Sequence, residues 1–151
     1  LGDLLQRSRT PLFIPGTGVP EIQTDGVALI AWNGSCEAAN AVRASLGLLK
    51  LATDVRVLSI EEGKNQAFPS TKLLEYLSRQ GIHADLRLEE APSGRRDGRS
   101  VATTLIAHAS GANAAYMVLG GYSHSRFGEF LFGGVTRALL ADCPVPLLIA
   151  H

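Results

Sequence analysis

From residue 27 to the end of the chain, short apolar runs alternate with amphipathic stretches, and this alternation constrains the fold more than any other feature. Residues 27–32, VALIAW, form a continuous apolar run that stops at the turn NGS, which predicts a buried strand. Ser35 then stands where a helix cap belongs, and Ala38, Val42, Leu46 and Leu49 share one helical stripe. DVRVLSI, 54–60, predicts a second strand. Ser70 opens STKLLEYLSRQG, where Leu73, Leu74 and Leu77 keep helical spacing and Gly81 suits the stop. IHADLRLEE, 82–90, alternates Ile82, Ala84, Leu86 and Leu88 on one face and predicts a third strand with one polar side. Ser100 is the expected cap of VATTLIAHASG, closed by Gly111. AAYMVLG, 114–120, reads as a strand from the middle of a parallel sheet. A helix through FLFGGVTRALLADC and a last strand VPLLIA, 145–150, complete the series.

Strand–helix alternation implies an α/β fold with right-handed crossovers: a five-stranded parallel sheet of order 3-2-1-4-5 with helices on both faces. Ligands of such sheets sit beyond the carboxyl ends of the strands, where the strand order reverses. In that order the first and fourth strands are neighbours, so the turns NGS and GGYSHS face one crevice.

Residues 1–26 fall outside this count. LLQRSRTPLFIP, 4–15, matches LLADCPVPLLIA, 139–150, at five of twelve positions in register. Residues 1–15 therefore read as the helix end and last strand of a preceding copy of the domain, 16–26 as a linker, and 27–151 as a second copy. A first residue of Leu rather than Met agrees with a piece of a longer protein.

Composition narrows the class. The 151 residues are 46% hydrophobic and 19% charged, within the globular range. Fourteen basic residues balance fourteen acidic ones, so no positive excess points to nucleic acid or to an anionic membrane surface. No apolar run approaches the roughly 20 residues of a membrane span. Cys36 and Cys143 make neither a disulfide framework nor metal spacing, and a reducing cytoplasm is the expected compartment.

The most unusual segment is GGYSHSRFGEFLFGGVTR, 120–137, whose glycines imply that backbone comes close to something. Together with ALIAWNGSCEAANAV and the closing CPVPLLIAH, it resembles the universal stress protein family over residues 27–151. The resemblance implies a three-layer nucleotide-binding-like sandwich, a role in stress resilience and a loop motif of Gly, two residues, Gly, nine residues, Gly, then Ser or Thr. Gly120 and Gly133 match the outer glycines, Ser123 replaces the inner one and Gly134 replaces the hydroxyl residue. Asn33 stands where nucleotide-binding members have Asp; Ile60 and Leu119 match apolar positions beside the base. Backbone N–H groups near a helix start hold phosphate without side chains, and Arg126 offers a charge-assisted partner. The implied ligand is ATP or another adenine nucleotide, with Mg2+ only alongside it. In the family the last strand pairs across a two-fold axis. The implied partner is thus a second copy, or a pseudo-dimer, through residues 145–150, with 11–15 pairing antiparallel against them.

Other reactive residues have ordinary readings. His124 lies between serines that are its sequence neighbours, an arrangement that rarely forms a triad; His83 and His108 read as partly buried or surface residues. Cys36, in the first helical turn, is either a thiol activated by the helix dipole or a small buried residue; Cys143 reads as packing. Arg95 and Arg96 read as solvated loop charge. No nucleophile elbow, paired carboxylates or metal cluster appears. Three readings remain open: a nucleotide-binding regulatory module, a slow ATPase or small hydrolase, and a dimerisation half that binds no nucleotide.

Overall fold

Three strands buried on both faces form the middle of a six-stranded sheet in the computed structural model, which describes residues 10–18, 21–61, 68–90, 98–121 and 134–151. In chain order the elements are β1 (Leu12–Ile14), β2 (Val27–Trp32), α1 (Cys36–Leu49), β3 (Asp54–Glu61), α2 (Ser70–Arg79), β4 (Asp85–Glu90), α3 (Gly98–Gly111), β5 (Ala114–Gly120), α4 (Gly134–Asp142) and β6 (Leu147–Ala150). The strand order is β1-β6-β5-β2-β3-β4. The fold is α/β, with all neighbours parallel except β1, which runs antiparallel to β6.

The five-strand expectation is therefore corrected to six. The extra strand is β1, which covers the backbone of β6 with Leu12 opposite Ile149, Phe13 opposite Leu148 and Ile14 opposite Leu147. An apolar edge strand such as β6 needs a cover or a partner, and residues from the other end of the chain supply it. Thr17 N–H extends the contact by donating to Cys143 O at 3.1 Å.

The helices form two layers. α1 and α2 lie over one face, around Ala28, Ile30, Trp32, Tyr116 and Val118; α3 and α4 lie over the other, around Leu29, Leu58, Met117 and Ile149. Period-two alternation along β2 and β5 sends consecutive side chains into different cores, which is why these strands read as unbroken apolar runs.

Several boundaries differ from the sequence expectation. The third strand begins at Asp85 rather than at 82, because Ile82 belongs to the stop of α2: Gly81 has φ +76°, Gly81 N–H donates to Ser78 O and Ile82 N–H donates to Leu77 O at 2.9 Å. Leu88, on the edge strand β4, is 56% exposed. α3 starts at Gly98, which leaves Ser100 inside the helix, and the left-handed residue after it is Asn113 at φ +50°, not Gly111. The last strand starts at Leu147, after Pro146, which lacks an N–H but accepts from Met117 N–H at 2.8 Å.

Candidate functional site

The turn after β2 is built by its own side chains. Gly34 takes φ +71°, Asn33 Oδ1 accepts from Ser35 N–H at 3.1 Å, and Ser35 Oγ accepts from Ala38 N–H at 3.1 Å as the N-cap of α1. Asn33 is exposed at the carboxyl end of β2. Its carboxamide oxygen already serves the turn, so the outward group is the amide nitrogen, a donor. An aspartate there would present an acceptor instead.

β2 is flanked by β3 and β5, both parallel, and from it the chain runs outward in opposite directions. The switch point therefore lies between β2 and β5. On the α3/α4 face, Ile60 of β3 and Leu119 of β5 are both buried. Between them Ala31 of β2 stands opposite Leu119 on one side and Leu58 on the other. Ala31 is smaller than the Leu119 and Leu58 that it faces, so the apolar row that ends in Ile60 and Leu119 is lowest at its middle, a dip at the strand ends by side-chain size. Ala31 was not singled out in the sequence; its only signal is its parity with Leu29 in VALIAW.

The two described glycines of the loop motif both meet protein backbone. A Cβ on Gly120 would collide with the backbone of Glu37 and Ala38, so this glycine lets β5 end against the first turn of α1. Gly134, the first residue of α4, lies against Gly98, the first residue of α3: a Cβ on Gly98 would strike the backbone of Gly134 and Val135, and one on Gly134 would lie 3.2 Å from Gly98 N and Cα. Two helix N-termini thus meet near the carboxyl ends of the strands. Their positive dipole ends favour an anion in this neighbourhood. Ser123, Arg126 and Gly133 lie outside the described residues, as do His124, Arg95 and Arg96.

His151 ties the end of β6 to α1: its Nδ1 lies 3.0 Å from Gly121 O, and its carbonyl accepts from Asn40 Nδ2 at 3.3 Å. Gly121 N–H donates to Ala150 O at 2.8 Å. This clasp joins the strand ends to α1, and sequence reading found His151 only as part of the closing motif. His108 Nε2 lies 3.2 Å from Glu89 and His83 is exposed beside Asp85, so neither sits in the crevice. Cys36 is exposed, which corrects its reading as a small buried residue; Cys143 is buried, and burial pushes its thiol pKa up. No group of three His, Cys, Asp or Glu residues gathers for a metal among the described residues.

A mostly parallel sheet with its switch point between β2 and β5 and helices on both faces defines a doubly wound α/β domain. The sequence model of the universal stress protein family matches residues 28–151, and the chain belongs to that family. Solved structures agree in fold. A universal stress protein from Archaeoglobus fulgidus DSM 4304 superposes with a TM-score of 0.67 at 19% identity, covering 99% of this chain and 52% of its own. A functionally unknown protein, PA1789, from Pseudomonas aeruginosa PAO1 gives 0.63 at 18%, covering 98% and 54%. A shorter universal stress protein from Archaeoglobus fulgidus gives 0.60 at 14%, covering 84% and 98%. The chain thus spans about half the length of the first two. No curated protein sequence matches it significantly. Among the described residues no helix is long and apolar enough to cross a membrane.

Proposed function

We propose that the chain is a regulatory binding module that takes ATP or another adenine nucleotide in the crevice between β2 and β5. One observation carries this reading: the Ile60–Ala31–Leu119 dip and the paired N-termini of α3 and α4 lie toward the same end of the sheet. The apolar dip suits the base, Asn33 suits an acceptor on the base or sugar, and the loop with Ser123, Arg126, Gly133 and Gly134 suits the phosphates, with Mg2+ only in company with them. Equilibrium dialysis with labelled ATP, with and without Mg2+, tests this. One nucleotide retained per chain, and lost in Gly133→Val, is the expected result; no retention of ATP, ADP or AMP sinks the reading. Steady phosphate release that disappears in Gly133→Val would make the protein a slow ATPase instead.

A second reading concerns assembly, and the β1–β6 register favours it. In the internal repeat Leu12 corresponds to Leu147, Phe13 to Leu148 and Ile14 to Ile149. The observed pairs, Leu12 with Ile149 and Ile14 with Leu147, exchange under that correspondence, and Phe13 with Leu148 maps onto itself. That is the pattern of an isologous two-fold contact. We infer that residues 1–15 end a preceding copy of the domain, that 16–26 link it to 27–151, and that β1 stands in for a dimer partner. Removing residues 1–26 then uncovers β6 and yields a homodimer by light scattering, whereas the 151-residue chain is monomeric. A monomeric 27–151 fragment would overturn this assignment.

A further inference from the structure

A second concavity lies on the opposite face of the sheet from the Ile60–Leu119 dip, between α1 and α2, with a volume of about 350 Å³. That volume is at the lower end of the roughly 300–1,000 Å³ of small-molecule sites. It exists because the two helices do not close on one another. α1 packs against β5 and β6, and aromatic residues hold α2 away from it. Trp32, only 4% exposed, forms the base; Phe68, Leu73 and Tyr76 form much of the wall. The base is held in place by a two-point clasp: Phe68 N–H donates to Gly34 O at 3.0 Å, and Trp32 Nε1–H donates to Phe68 O at 3.1 Å. The site is thus largely preformed, with three aromatic rings set for a flat apolar body.

The charges along the groove have one sign. Arg43 and Lys72 line it from the two helices, and no carboxylate does among the described residues. Lys72 also meets Glu75, at 3.1 and 3.3 Å. Arg43 donates to its neighbour Asn40 and has no carboxylate partner among the described residues. A planar guanidinium with donors to spare beside an aromatic pocket selects an anionic group on an otherwise apolar ligand.

We propose that the α1–α2 groove is a binding site for a small aromatic carboxylate, whose ring lies over Trp32 between Phe68 and Tyr76 and whose carboxylate meets Arg43 and Lys72. The site is independent of the nucleotide crevice, since the two open on opposite faces of the sheet.

Trp32 is the only tryptophan in the chain, so its fluorescence reports occupancy directly. The test titrates the full chain with 4-phenylbutyrate, 4-phenylbutanol and 4-phenylbutylamine, which share a body and differ in charge. The expected result is saturable quenching or shift by 4-phenylbutyrate, about fivefold tighter than by the alcohol, with the amine weakest. Arg43→Gln, an exposed position that leaves the fold intact, should bring acid and alcohol within about twofold of one another. Ala39→Leu, which fills the groove, should abolish the response to all three probes. Phenylbutyrate should slow alkylation of exposed Cys36, which also lines the groove, and saturating ATP should leave its affinity unchanged. The proposal is overturned by the absence of saturable change with the acid, by equal affinity for the three probes, by an unaltered response in Ala39→Leu, or by competition from ATP.

Discussion

The two helical layers cover the same sheet through the same kind of connection, yet the helices of one touch at their starts and those of the other stand apart. α3 and α4 meet at Gly98 and Gly134, where the absence of side chains lets two helix starts touch backbone to backbone. α1 and α2 are kept apart by Trp32, Phe68 and Tyr76, which leave the groove of about 350 Å³. The difference shows what sets helix separation on a sheet. It is the size of the few residues at the contact, since interaxial distance follows the side chains placed there. Glycines at a contact let two helix starts touch; aromatics at a contact hold two helices apart and leave a groove between them.

The largest test of this contrast is Gly98→Val. Its Cβ alone would strike the backbone of Gly134 and Val135, which has no rotamer with which to move aside. The expected loss is about 3 kcal/mol, at the upper end of overpacking effects, read as a lower urea midpoint with unchanged slope. A loss under about 1 kcal/mol would mean that the α3–α4 contact opens readily and that the closed layer is no tighter than the open one.

Each layer also buries a titratable group, and alkaline pH separates them. Tyr116 on the α1/α2 face is fully buried, its hydroxyl has no hydrogen-bond partner among the described residues, and burial pushes its pKa up to about 12. The neutral phenol is the form the fold holds. Stability from this group is complete below the unfolded pKa near 10, declines as pH rises past it because the unfolded chain loses the proton first, and is gone above about 12. The decline amounts to roughly 2 kcal/mol. Tyr116→Phe should remove it and leave neutral-pH stability unchanged or slightly raised, since the hydroxyl gains no partner on folding. Its edge-to-face contact with Phe13, centroids 6.0 Å apart, survives the change. A decline that persists in Tyr116→Phe would move the titration to the other layer, where Cys143 is buried.

Trp32→Phe should cost less, about 1–2 kcal/mol, from the lost Nε1–H bond to Phe68 O and the smaller ring. It loosens only the clasp at the start of α2. Hydrogen exchange should therefore rise in the first turn of α2 and stay unchanged in α3 and α4. Equal acceleration in both layers would show that they are coupled through the sheet.

What the sequence disclosed depends on the reach of the pattern. β2 and β5 were legible because both faces are buried, and a strand in the middle of a parallel sheet carries that burial in consecutive residues. β1 was legible only through its likeness to β6, since three residues have no period of their own. The stop of α2 was half legible: Gly81 announced it, but Ile82 looked like strand because its apolar parity matched Leu86. The helix-breaking oddity of Gly134 was visible, while its cause was not. Its partner Gly98 lies in a different connection, and no local pattern links them. Asn33 was legible as the residue that follows β2, but the orientation of its carboxamide depends on Ser35 N–H and on the φ of Gly34. The groove had no linear signal at all, because Trp32, Arg43, Phe68 and Lys72 come from separate elements.

Ala39→Leu is the smallest expected effect and the sharpest comparison with Gly98→Val, since both add apolar volume to a helix packed on the same sheet. Ala39 lines the groove and is only partly buried. A leucine there enters empty space over Trp32 instead of backbone. Burial of the added carbons gains up to about 0.8 kcal/mol for each methylene fully covered, and incomplete coverage, side-chain entropy and a slightly lower helix propensity offset much of it. The net expectation is a change within about 0.5 kcal/mol of zero or a small stabilisation, read from the same urea curves. A destabilisation above about 1 kcal/mol would mean that the α1–α2 layer is closed in solution and as intolerant of added volume as the glycine contact opposite.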